Sequence, residues 1–308
     1  MEKSHKIAVI GAGLMGHGIA LTFACAGHGV ALTDPSEEML SSAPDRIAAS
    51  LKALGADEGD IAGTLNHVTL SNAVADAVKD ATFVFEAAPE KLTLKQAIFA
   101  EVEAYAPRDA VLASNTSVIQ ITKIMANLKH RHRALGTHWW NPPHMIPLVE
   151  VVKTEWTDGD AAKATMALLE TAGKTPVMVE KDVPGFIGNR LQHALWREAI
   201  SLVENGVCDA KAVDTVIKSS FGRRLAVLGP LENADLVGTD LTLDIHDNVL
   251  FDLESRNGPS PYLQQLVADK RLGMKTGQGF HTWTEQEAAA TKERVSRYLK
   301  QLGDILPD

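Results

Sequence analysis

Two residues in the middle of the chain, His138 and Glu150, have the chemistry of an acid–base pair. His138 lies in an apolar run that predicts a strand, Glu150 lies in the next such run, and a proline-rich reversal separates them. Such a reversal can return the glutamate to the histidine, where a carboxylate fixes the ring tautomer and stabilises the imidazolium of a general base. The residues alone leave a second interpretation open, in which His138 is a hydrogen-bonded core histidine and Glu150 is a solvated strand end.

A glycine-rich turn near the start of the chain has the spacing of a dinucleotide-binding site. Gly11, Gly13 and Gly16 follow the apolar run Lys6–Ile10 in the pattern G-x-G-x-x-G, and Asp34 ends the next apolar run. The glycines allow a tight turn, close approach of backbone N–H groups to a pyrophosphate and close packing of the following helix, while the carboxylate can accept both ribose hydroxyls. No arginine near Asp34 is available for a 2′-phosphate, so the pattern predicts NAD rather than NADP.

A polar stretch, Ser114–Ser117, ends the predicted fifth strand. In open α/β sheets, ligands bind outside the carboxyl ends of the strands, so this stretch is a candidate ligand site, with helix capping as the alternative role. Trp139 and Trp140 directly follow His138. Strand alternation places these two tryptophans on opposite faces, so at most one of them can line a site beside the histidine.

Apolar strands alternate with amphipathic helices up to about Glu180, which predicts an α/β fold with a Rossmann-type, doubly wound parallel sheet. The predicted strands are Lys6–Ile10, Gly29–Thr33, His67–Leu70, Thr82–Glu86, Ala110–Ala113, Arg133–Trp139, Leu148–Val152 and Val177–Val179. The predicted helices between them are Leu14–Ala26, Ser36–Leu54, Leu92–Tyr105 and Asp160–Thr171.

Strand patterns end near the turn Pro184–Gly185, and the remaining chain predicts an all-α domain. We therefore expect an NAD-binding domain over residues 1–183 and a helical substrate and dimerisation domain over residues 184–308. Phe186–Val203 and Leu241–Leu253 are apolar enough to predict a homodimer interface, with an ordinary intrachain core as the alternative. The predicted helices of this domain are Phe186–Asn205, Asp209–Ser220 (capped by Asp209), Leu231–Leu253, Pro259–Asp269 and Glu285–Leu302.

The composition, with 45% hydrophobic and 22% charged residues, is typical of a soluble globular protein. The net charge of −9 argues against a nucleic-acid binder, which needs clustered lysine and arginine. Cys25 and Cys208 are far apart and outside any C-x-x-C motif, which argues against a disulfide framework or a metal centre. The first strand begins without room for a signal peptide, and no apolar run reaches transmembrane length, so we expect a cytoplasmic protein with no membrane partner.

Four motifs in order resemble the L-3-hydroxyacyl-CoA dehydrogenase family. They are G-A-G-x-M-G-x-G, S-N-T-S, H-x-x-N-P followed by P-L-V-E-V, and D-x-P-G-F-I-x-N-R, all between Ile7 and Arg190. A weaker match follows at Lys275–Phe280. The resemblance covers essentially the whole chain and implies an enzyme that oxidises a secondary alcohol by hydride transfer to NAD⁺.

The resemblance also implies roles for individual residues. His138 is the expected catalytic base and Glu150 its orienting partner, while Ser117 and Asn189 are expected to hold the substrate oxygen. The residues expected at the cofactor are Glu90 and Lys95 on a ribose, Asn141 near the nicotinamide, and also Gly11, Gly13, Leu14, Met15, Gly16, Asp34, Asn115 and Ser117.

Two features depart from family members that use CoA thioesters. The segment Ser50–Ser71 has one lysine, Lys52, among several acidic residues, where those enzymes resemble one another in a lysine-bearing helix and loop; a solvated turn without bearing on substrate is the alternative. Arg223 and Arg224, before G-P-L-E, are similar to a basic position of the λ-crystallin/L-gulonate 3-dehydrogenase branch and of carnitine dehydrogenases. An arginine there, best matched by Arg224, can bind a free carboxylate, although a surface arginine pair is the other interpretation.

The leading hypothesis is therefore an NAD-dependent dehydrogenase that acts on the 3-hydroxyl of a small free hydroxy acid. Its nearest alternative is a short-chain L-3-hydroxyacyl-CoA dehydrogenase, such as one acting on 3-hydroxybutyryl-CoA. An alternative of another class is a non-catalytic NAD(H)-binding or crystallin-like protein.

Overall fold

The structure is a computed structural model in which residues 4–306 are described. It divides into two compact units, one ending at Arg190 and one beginning at Leu191. The division falls a few residues after the domain boundary that the sequence predicts at residue 183. The two units are described separately below.

The first unit is built on one eight-stranded sheet with the spatial order β3-β2-β1-β4-β5-β6-β7-β8. Strands β1 to β6 pair in parallel, but β7 pairs antiparallel with β6 and parallel with β8. The predicted Rossmann-type doubly wound sheet is confirmed, and it is mixed rather than purely parallel. The short connection 140–147 contains no crossover helix, so it makes the reversal that the sequence predicts between His138 and Glu150. The strands are Lys6–Ile10 (β1), Gly29–Thr33 (β2), Val68–Ser71 (β3), Phe83–Glu86 (β4), Val111–Ser114 (β5), Ala134–Trp139 (β6), Leu148–Val152 (β7) and Thr175–Val179 (β8).

Helices cover the sheet, and one predicted helix is divided. Ser36–Leu54 forms two helices, α2 and α3, because Pro44 stands in the first turn of α3 and cannot continue an α2 ladder. Three short helices were not predicted: Glu58–Leu65 (α4) and Val74–Val78 (α5), which precede and follow β3, and Ile121–Ile124 (α7). The helices of this unit are Gly16–Cys25 (α1), Glu37–Ser41 (α2), Ala43–Leu54 (α3), Glu58–Leu65 (α4), Val74–Val78 (α5), Leu92–Tyr105 (α6), Ile121–Ile124 (α7) and Gly159–Thr171 (α8).

Both faces of the central strands are buried, which explains why those strands are apolar throughout rather than alternating. On one face Phe23 of α1 and Trp139 of β6 belong to one buried cluster, and on the other Phe99 of α6 and Leu112 of β5 belong to a second. Glu86 is a fully buried exception at the carboxyl end of β4. The packed core thus fixes the carboxyl edge of the sheet, where polar residues such as Glu86 lie.

The second unit is helical, as predicted. The predicted helix Leu231–Leu253 is interrupted at Gly238, whose φ of +103° ends one helix and starts the next. Asp209 caps α10 by accepting from the N–H of Ala212, as the sequence predicts. The helices are Gly188–Glu204 (α9, which begins in the first unit), Ala210–Ser219 (α10), Pro230–Val237 (α11), Thr239–Val249 (α12), Pro261–Ala268 (α13) and Glu285–Ile305 (α14).

Residues 4–306 contain no helix with both the length and the apolar composition to cross a membrane. The same residues place no three His, Cys, Asp or Glu side chains where they could share a metal ion.

Candidate active site

The antiparallel register of β6 and β7 sets His138 directly opposite Glu150. His138 Nδ1 lies 2.7 Å from Glu150 Oε2, and the two side chains are 4% and 1% exposed. An ionised carboxylate only accepts hydrogen bonds, so Nδ1 carries the proton and Nε2 keeps its lone pair. Within residues 4–306, no side chain or backbone group is bonded to Nε2. The imidazole is thus oriented by one nitrogen and free to accept a proton at the other.

The second carboxylate oxygen of Glu150 is bound by backbone. Oε1 accepts from Ile187 N at 2.8 Å and from Gly188 N at 3.0 Å, at the start of α9. Burial raises the pKa of Glu150, but the hydrogen bond from His138, the two backbone N–H groups and the charge of His138 outweigh it, and the net pKa is lowered. Glu150 therefore stays ionised beside the imidazole.

The backbone that carries these N–H groups is sharply bent. Gly185 has φ +76° and Phe186 has φ +50°, so the chain passes through two left-handed residues before α9 begins. The predicted helix start at Phe186 is for that reason two residues early. The bend aims consecutive N–H groups at the carboxylate, as in other anion-binding turns.

Aromatic rings enclose His138. Its ring centroid lies 5.3 Å from that of Trp140 and 5.6 Å from that of Phe186. Trp139 is 2% exposed in the core, whereas Trp140 is half-buried beside the histidine, which agrees with the predicted alternation. Gly188 makes room for Trp140, because a Cβ there would lie 2.4 Å from Trp140 Cζ2.

Lys174 supports the connection between the two strands of the pair. Its buried ammonium donates to the carbonyl of Pro143 at 2.6 Å and to that of Ile146 at 3.1 Å. Burial lowers the pKa of Lys174 to about 8. The sequence offered no sign of this role, because the lysine precedes β8 and is distant in sequence from the connection.

The glycine turn has the shape that its pattern predicts. Gly11 has φ +100°, and a Cβ there would lie 2.7 Å from the carbonyl oxygen of Ala87; a Cβ on Gly16 would collide with the carbonyl of Gly11 at 1.7 Å. By contrast, a Cβ on Gly13 would meet no heavy atom within 4 Å. Gly11 and Gly16 are thus required by the turn itself, whereas Gly13 leaves open space at the N-terminus of α1 for a ligand.

Asp34 is tied to the same turn. Its Oδ2 accepts from Ala12 N and its Oδ1 from Ser36 N, each at 2.8 Å. These bonds aim the carboxylate and leave its remaining lone pairs for other donors. Leu14 is exposed and Met15 half-buried at the start of α1, beside the open side of Gly13.

The other residues expected at the site lie along the carboxyl ends of β4 to β6. Ser117 is exposed, and its carbonyl accepts from Asn189 Nδ2 at 3.0 Å. Asn115 uses its Oδ1 to accept from the N–H of Trp139 at 2.9 Å, so that oxygen joins β5 to β6. Asn141 is exposed in the connection after β6.

Glu90 and Lys95 differ from each other in exposure. The Glu90 side chain is 37% exposed, but the Lys95 side chain is 0% exposed and lies 2.6 Å from Glu86 Oε1. The Lys95 side chain thus exposes no surface in this structure, and its expected contact with a ribose stays a prediction. Glu86 was not predicted as a site residue, although the sequence shows it as an acid at the end of the buried run Phe83–Glu86.

Arg223 and Arg224 belong to the second unit. They lie in the turn after α10 and are both exposed. Their proposed contact with a substrate carboxylate stays a prediction.

Comparison with known proteins gives two family matches along the chain. Residues 6–183 match the NAD-binding domain of 3-hydroxyacyl-CoA dehydrogenase, and residues 185–283 match its C-terminal domain. The chain is 34% identical over 305 residues to 5-formyl-3-hydroxy-2-methylpyridine 4-carboxylate 5-dehydrogenase of Mesorhizobium japonicum, covering 98% of each chain. It is 38% identical to the mitochondrial hydroxyacyl-coenzyme A dehydrogenase of Mus musculus (90% of each chain), and 37% identical to the L-carnitine dehydrogenase of Streptomyces coelicolor (77% of this chain, 74% of that one).

Two solved structures are similar over nearly the whole chain. The 5-formyl-3-hydroxy-2-methylpyridine 4-carboxylic acid 5-dehydrogenase, described as an NAD⁺ dependent dismutase, has a TM-score of 0.91 at 33% identity and 98% coverage of each chain. The (S)-3-hydroxybutyryl-CoA dehydrogenase of Ralstonia eutropha has a TM-score of 0.76 at 31% identity, covering 91% of this chain and all of that one. The cofactor is NAD, and the chain belongs to the 3-hydroxyacyl-CoA dehydrogenase family of oxidoreductases.

Proposed function

We propose that this protein oxidises the 3-hydroxyl of a small free hydroxy acid to the 3-keto form, with His138 as general base. The observation that carries the proposal is the buried His138–Glu150 pair, 2.7 Å from Nδ1 to Oε2, with Nε2 unengaged by described residues. A general base needs an oriented imidazole whose second nitrogen can reach a hydroxyl proton.

His138 and Glu150 have different roles in the transfer of one proton. As the alcohol is oxidised, its O–H proton passes to His138 Nε2, the O–H electron pair becomes the second bond of the carbonyl, and the carbon releases its hydrogen as hydride. Glu150 stabilises the imidazolium that results, and its ionised state supports that role. We assign Ser117 and Asn189 to the substrate oxygen, which they would hold so that the reacting hydrogen is presented to the acceptor.

The glycine turn and its neighbours fit the cofactor. The open side of Gly13 and the N-terminus of α1 suit a pyrophosphate, and the oriented Asp34 carboxylate suits ribose hydroxyls. We assign Glu90 and Asn141 to the cofactor as well, from their exposed positions on the same sheet edge. When bound, NAD⁺ supplies the hydride acceptor.

The charge of α4 favours a free acid over a CoA thioester. Helix α4 is capped by Asp57 and carries Glu58 and Asp60 in its first turn, while Lys52 lies in the last turn of the preceding helix. An acidic surface at this position repels the phosphates of a 3′-phosphoadenosine. Arg224, or its neighbour Arg223, is our candidate for binding the free carboxylate in two-point fashion.

A second candidate reaction is favoured by one of the similar solved structures. The relative with a TM-score of 0.91 is named for a substrate with a formyl group and a ring carboxylate. A hydrated aldehyde has a hydroxyl and a hydrogen on the same carbon, so the same base could take its proton as hydride leaves, giving a carboxylic acid. This second candidate reaction uses the same site and differs only in the class of substrate.

The test is a substrate panel with the purified protein, followed by NADH formation. The free acids are carnitine, gulonate, 3-hydroxybutyrate and aromatic hydroxy acids, beside 3-hydroxybutyryl-CoA and 5-formyl-3-hydroxy-2-methylpyridine 4-carboxylate. We expect turnover of a free acid, or of the aldehyde for the second candidate. Efficient turnover of the CoA thioester alone would overturn the free-acid proposal, and NADH binding without any turnover would favour the non-catalytic alternative.

We further propose a cytoplasmic homodimer formed through the helical unit. Large apolar side chains stand exposed on that unit, including Leu231 (81%), Phe251 (82%) and Leu236 (72%). Exposed apolar area of this kind is typical of an interface. Sedimentation velocity of the wild type and of Phe251→Asp tests it: a dimer that the substitution dissociates is expected, and a monomeric wild type would refute it.

A further inference from the structure

We propose that Lys95 is a positioning residue: anchored by the buried Glu86, it holds Glu90 so that Glu90 orders the turn 114–118, which carries Ser117. The geometry of these contacts is independent of the proposed function. The consequence for turnover rests on that function, because it assumes that Ser117 contacts the substrate.

Glu86 is the fixed end of this arrangement. Its side chain is fully buried at the carboxyl end of β4. Oε1 accepts from Lys95 Nζ at 2.6 Å and from Ala88 N at 2.7 Å, and Oε2 accepts from Ser114 Oγ at 2.6 Å. A buried carboxylate is tolerated only when it is paired and hydrogen-bonded in this way. Glu86 thus supplies the counter-charge for a lysine that has no contact with water.

Lys95 links the two glutamates. Besides Glu86, its Nζ lies 3.2 Å from the carbonyl oxygen of Ala88 and 3.4 Å from Glu90 Oε2. The first two of these partners accept hydrogen bonds from the ammonium group, and Glu90 forms an ion pair with it. With its donors directed at protein atoms and its side chain fully buried, Lys95 acts on a ligand through Glu90.

Glu90 connects Lys95 to the turn 114–118 through hydrogen bonds. Its Oε1 accepts from Thr116 Oγ1, from Ser117 N at 3.2 Å and from Val118 N at 3.3 Å. Burial raises the pKa of Glu90, but the bonds from Thr116 and the two N–H groups and the charge of Lys95 lower it overall. The carboxylate remains an acceptor for consecutive backbone N–H groups, which fixes the turn.

The turn 114–118 also fixes the two residues that we assign to the substrate oxygen, Ser117 and Asn189. The carbonyl of Ser117 accepts from Asn189 Nδ2 at 3.0 Å, so both residues assigned to the substrate oxygen depend on its conformation. If Glu86 lost its charge, Glu90 would be the remaining carboxylate next to the Lys95 ammonium. Attraction to Lys95 would then draw Glu90 away from the turn.

The experiment compares Glu86→Gln, Lys95→Met and the double variant by amide hydrogen exchange of residues 114–118 and by turnover. We expect exchange of that segment to become about tenfold faster or more in each single variant. We expect kcat to fall about 10- to 100-fold, as for a misplaced site group. Because the residues act in series, the double variant should be no slower than the worse single variant.

Glu103→Gln is the matched control. Glu103 likewise accepts from two consecutive backbone N–H groups, those of Lys129 at 2.9 Å and His130 at 2.8 Å, at the other edge of the sheet. Exchange should then rise at 129–130 and stay unchanged at 114–118. If Glu86→Gln does not fold, Ser114→Ala, which removes one bond to Glu86, should give the same changes at a smaller size.

Two results would overturn the inference. One is unchanged exchange of 114–118 in Glu86→Gln. The other is a Lys95→Met protein that loses NADH affinity while Glu86→Gln retains full activity, as a direct lysine–ribose contact would require. If exchange rises but no substrate of the panel is turned over by the wild type, the proposed function fails and this inference stands.

Discussion

The backbone N–H of Gly188 donates to Glu150 Oε1 at 3.0 Å, on the oxygen that does not face His138. The start of α9 and the β6–β7 pair are therefore joined through a single carboxylate. A helix N-terminus stabilises a negative charge, and here it stabilises the charge that faces the imidazole. Glu150 is held from both sides, so it need not reorient when His138 gains a proton.

Replacing His138 by glutamine should reduce kcat by roughly two to four orders of magnitude, the usual contribution of a general acid–base group. The amide can occupy the place of the ring but cannot take a proton from the alcohol. NADH binding, measured by fluorescence titration, should be retained because the glycine turn and Asp34 are unaffected. A variant that binds NADH and turns over at the wild-type rate would contradict the assignment of the base.

Gly188→Ala should disturb the site sterically, because the new Cβ would lie 2.4 Å from Trp140 Cζ2. The indole must then move against His138 or displace the N–H that binds Glu150. We expect kcat to fall by about tenfold or more, since small misplacements of catalytic groups are costly. Steady-state kinetics of the variant, and of the double variant with Trp140→Leu, measure this, and the smaller side chain should recover part of the rate.

The control for this substitution is Gly63→Ala in α4. A Cβ at Gly63 meets no heavy atom within 4 Å, and the position is helical. Alanine there should raise stability by up to about 1 kcal/mol and leave kcat unchanged. Equal losses of kcat in both variants would show that the effect at Gly188 is not local to the site.

Lys174 gives the protein a pH-dependent term in its stability. Its pKa is about 8 when folded and 10.5 as the ordinary value, so between these pH values the unfolded chain holds a proton that the folded chain lacks. Raising the pH through this window therefore stabilises the folded state, by an upper limit of about 3 kcal/mol. Below pH 8 Lys174 is protonated in both the folded and the unfolded state, and the full free-energy cost of burying its charge destabilises the folded state.

The measurement is the thermal midpoint of the wild type and of Lys174→Met from neutral pH to pH 10.5. The midpoint of the wild type should rise relative to that of the variant across the window. Lys163→Met, at an exposed position on α8, is the matched control and should follow the wild type throughout. A constant difference between wild type and Lys174→Met would mean that the buried lysine does not titrate as described.

The sequence predicted the elements whose pattern is local. The glycine turn, Asp34 and the facing of His138 and Glu150 across a reversal all rest on short-range spacing, and the structure has each of them. Interruptions of helices were harder, although Pro44 and Gly238 were visible in the sequence, because apolar periodicity continues across both. Local pattern thus gives the elements more reliably than their ends.

What the sequence did not reveal depends on contacts between distant segments. The burial of Lys95 beside Glu86 is one such contact, and it is the basis of the positioning role that we propose for this lysine. Lys174 supports carbonyls that precede it by about 30 residues, which no spacing rule anticipates. The N–H groups of Ile187 and Gly188 were also missed, because backbone donors leave no mark in residue types.

The acidic face of α4 should limit activity toward a CoA thioester, and reversing its charge should relieve that limit. Glu58 and Asp60 are exposed in the first turn, whereas Asp57 caps the helix through Asp60 N and is best left intact. Glu58→Lys with Asp60→Lys should lower the KM for 3-hydroxybutyryl-CoA by about 3- to 30-fold at low salt, with less effect as salt screens the charges. The KM for a free acid should be unchanged, because a small substrate does not extend to this helix.

Glu170→Lys makes the same change of charge at an exposed position of α8. It distinguishes an effect of the α4 surface from an effect of the protein's net charge. If it lowers the KM for the thioester as much per charge as the α4 variant does, net charge rather than the helix face is responsible. The α4 changes also place lysines at a helix N-terminus, which costs about 0.3–1 kcal/mol each in stability, so thermal midpoints must accompany the kinetics. A thioester KM that stays high in the folded α4 variant would mean that this face does not meet the nucleotide of CoA, and the free-acid preference would then rest on Arg223 and Arg224 alone.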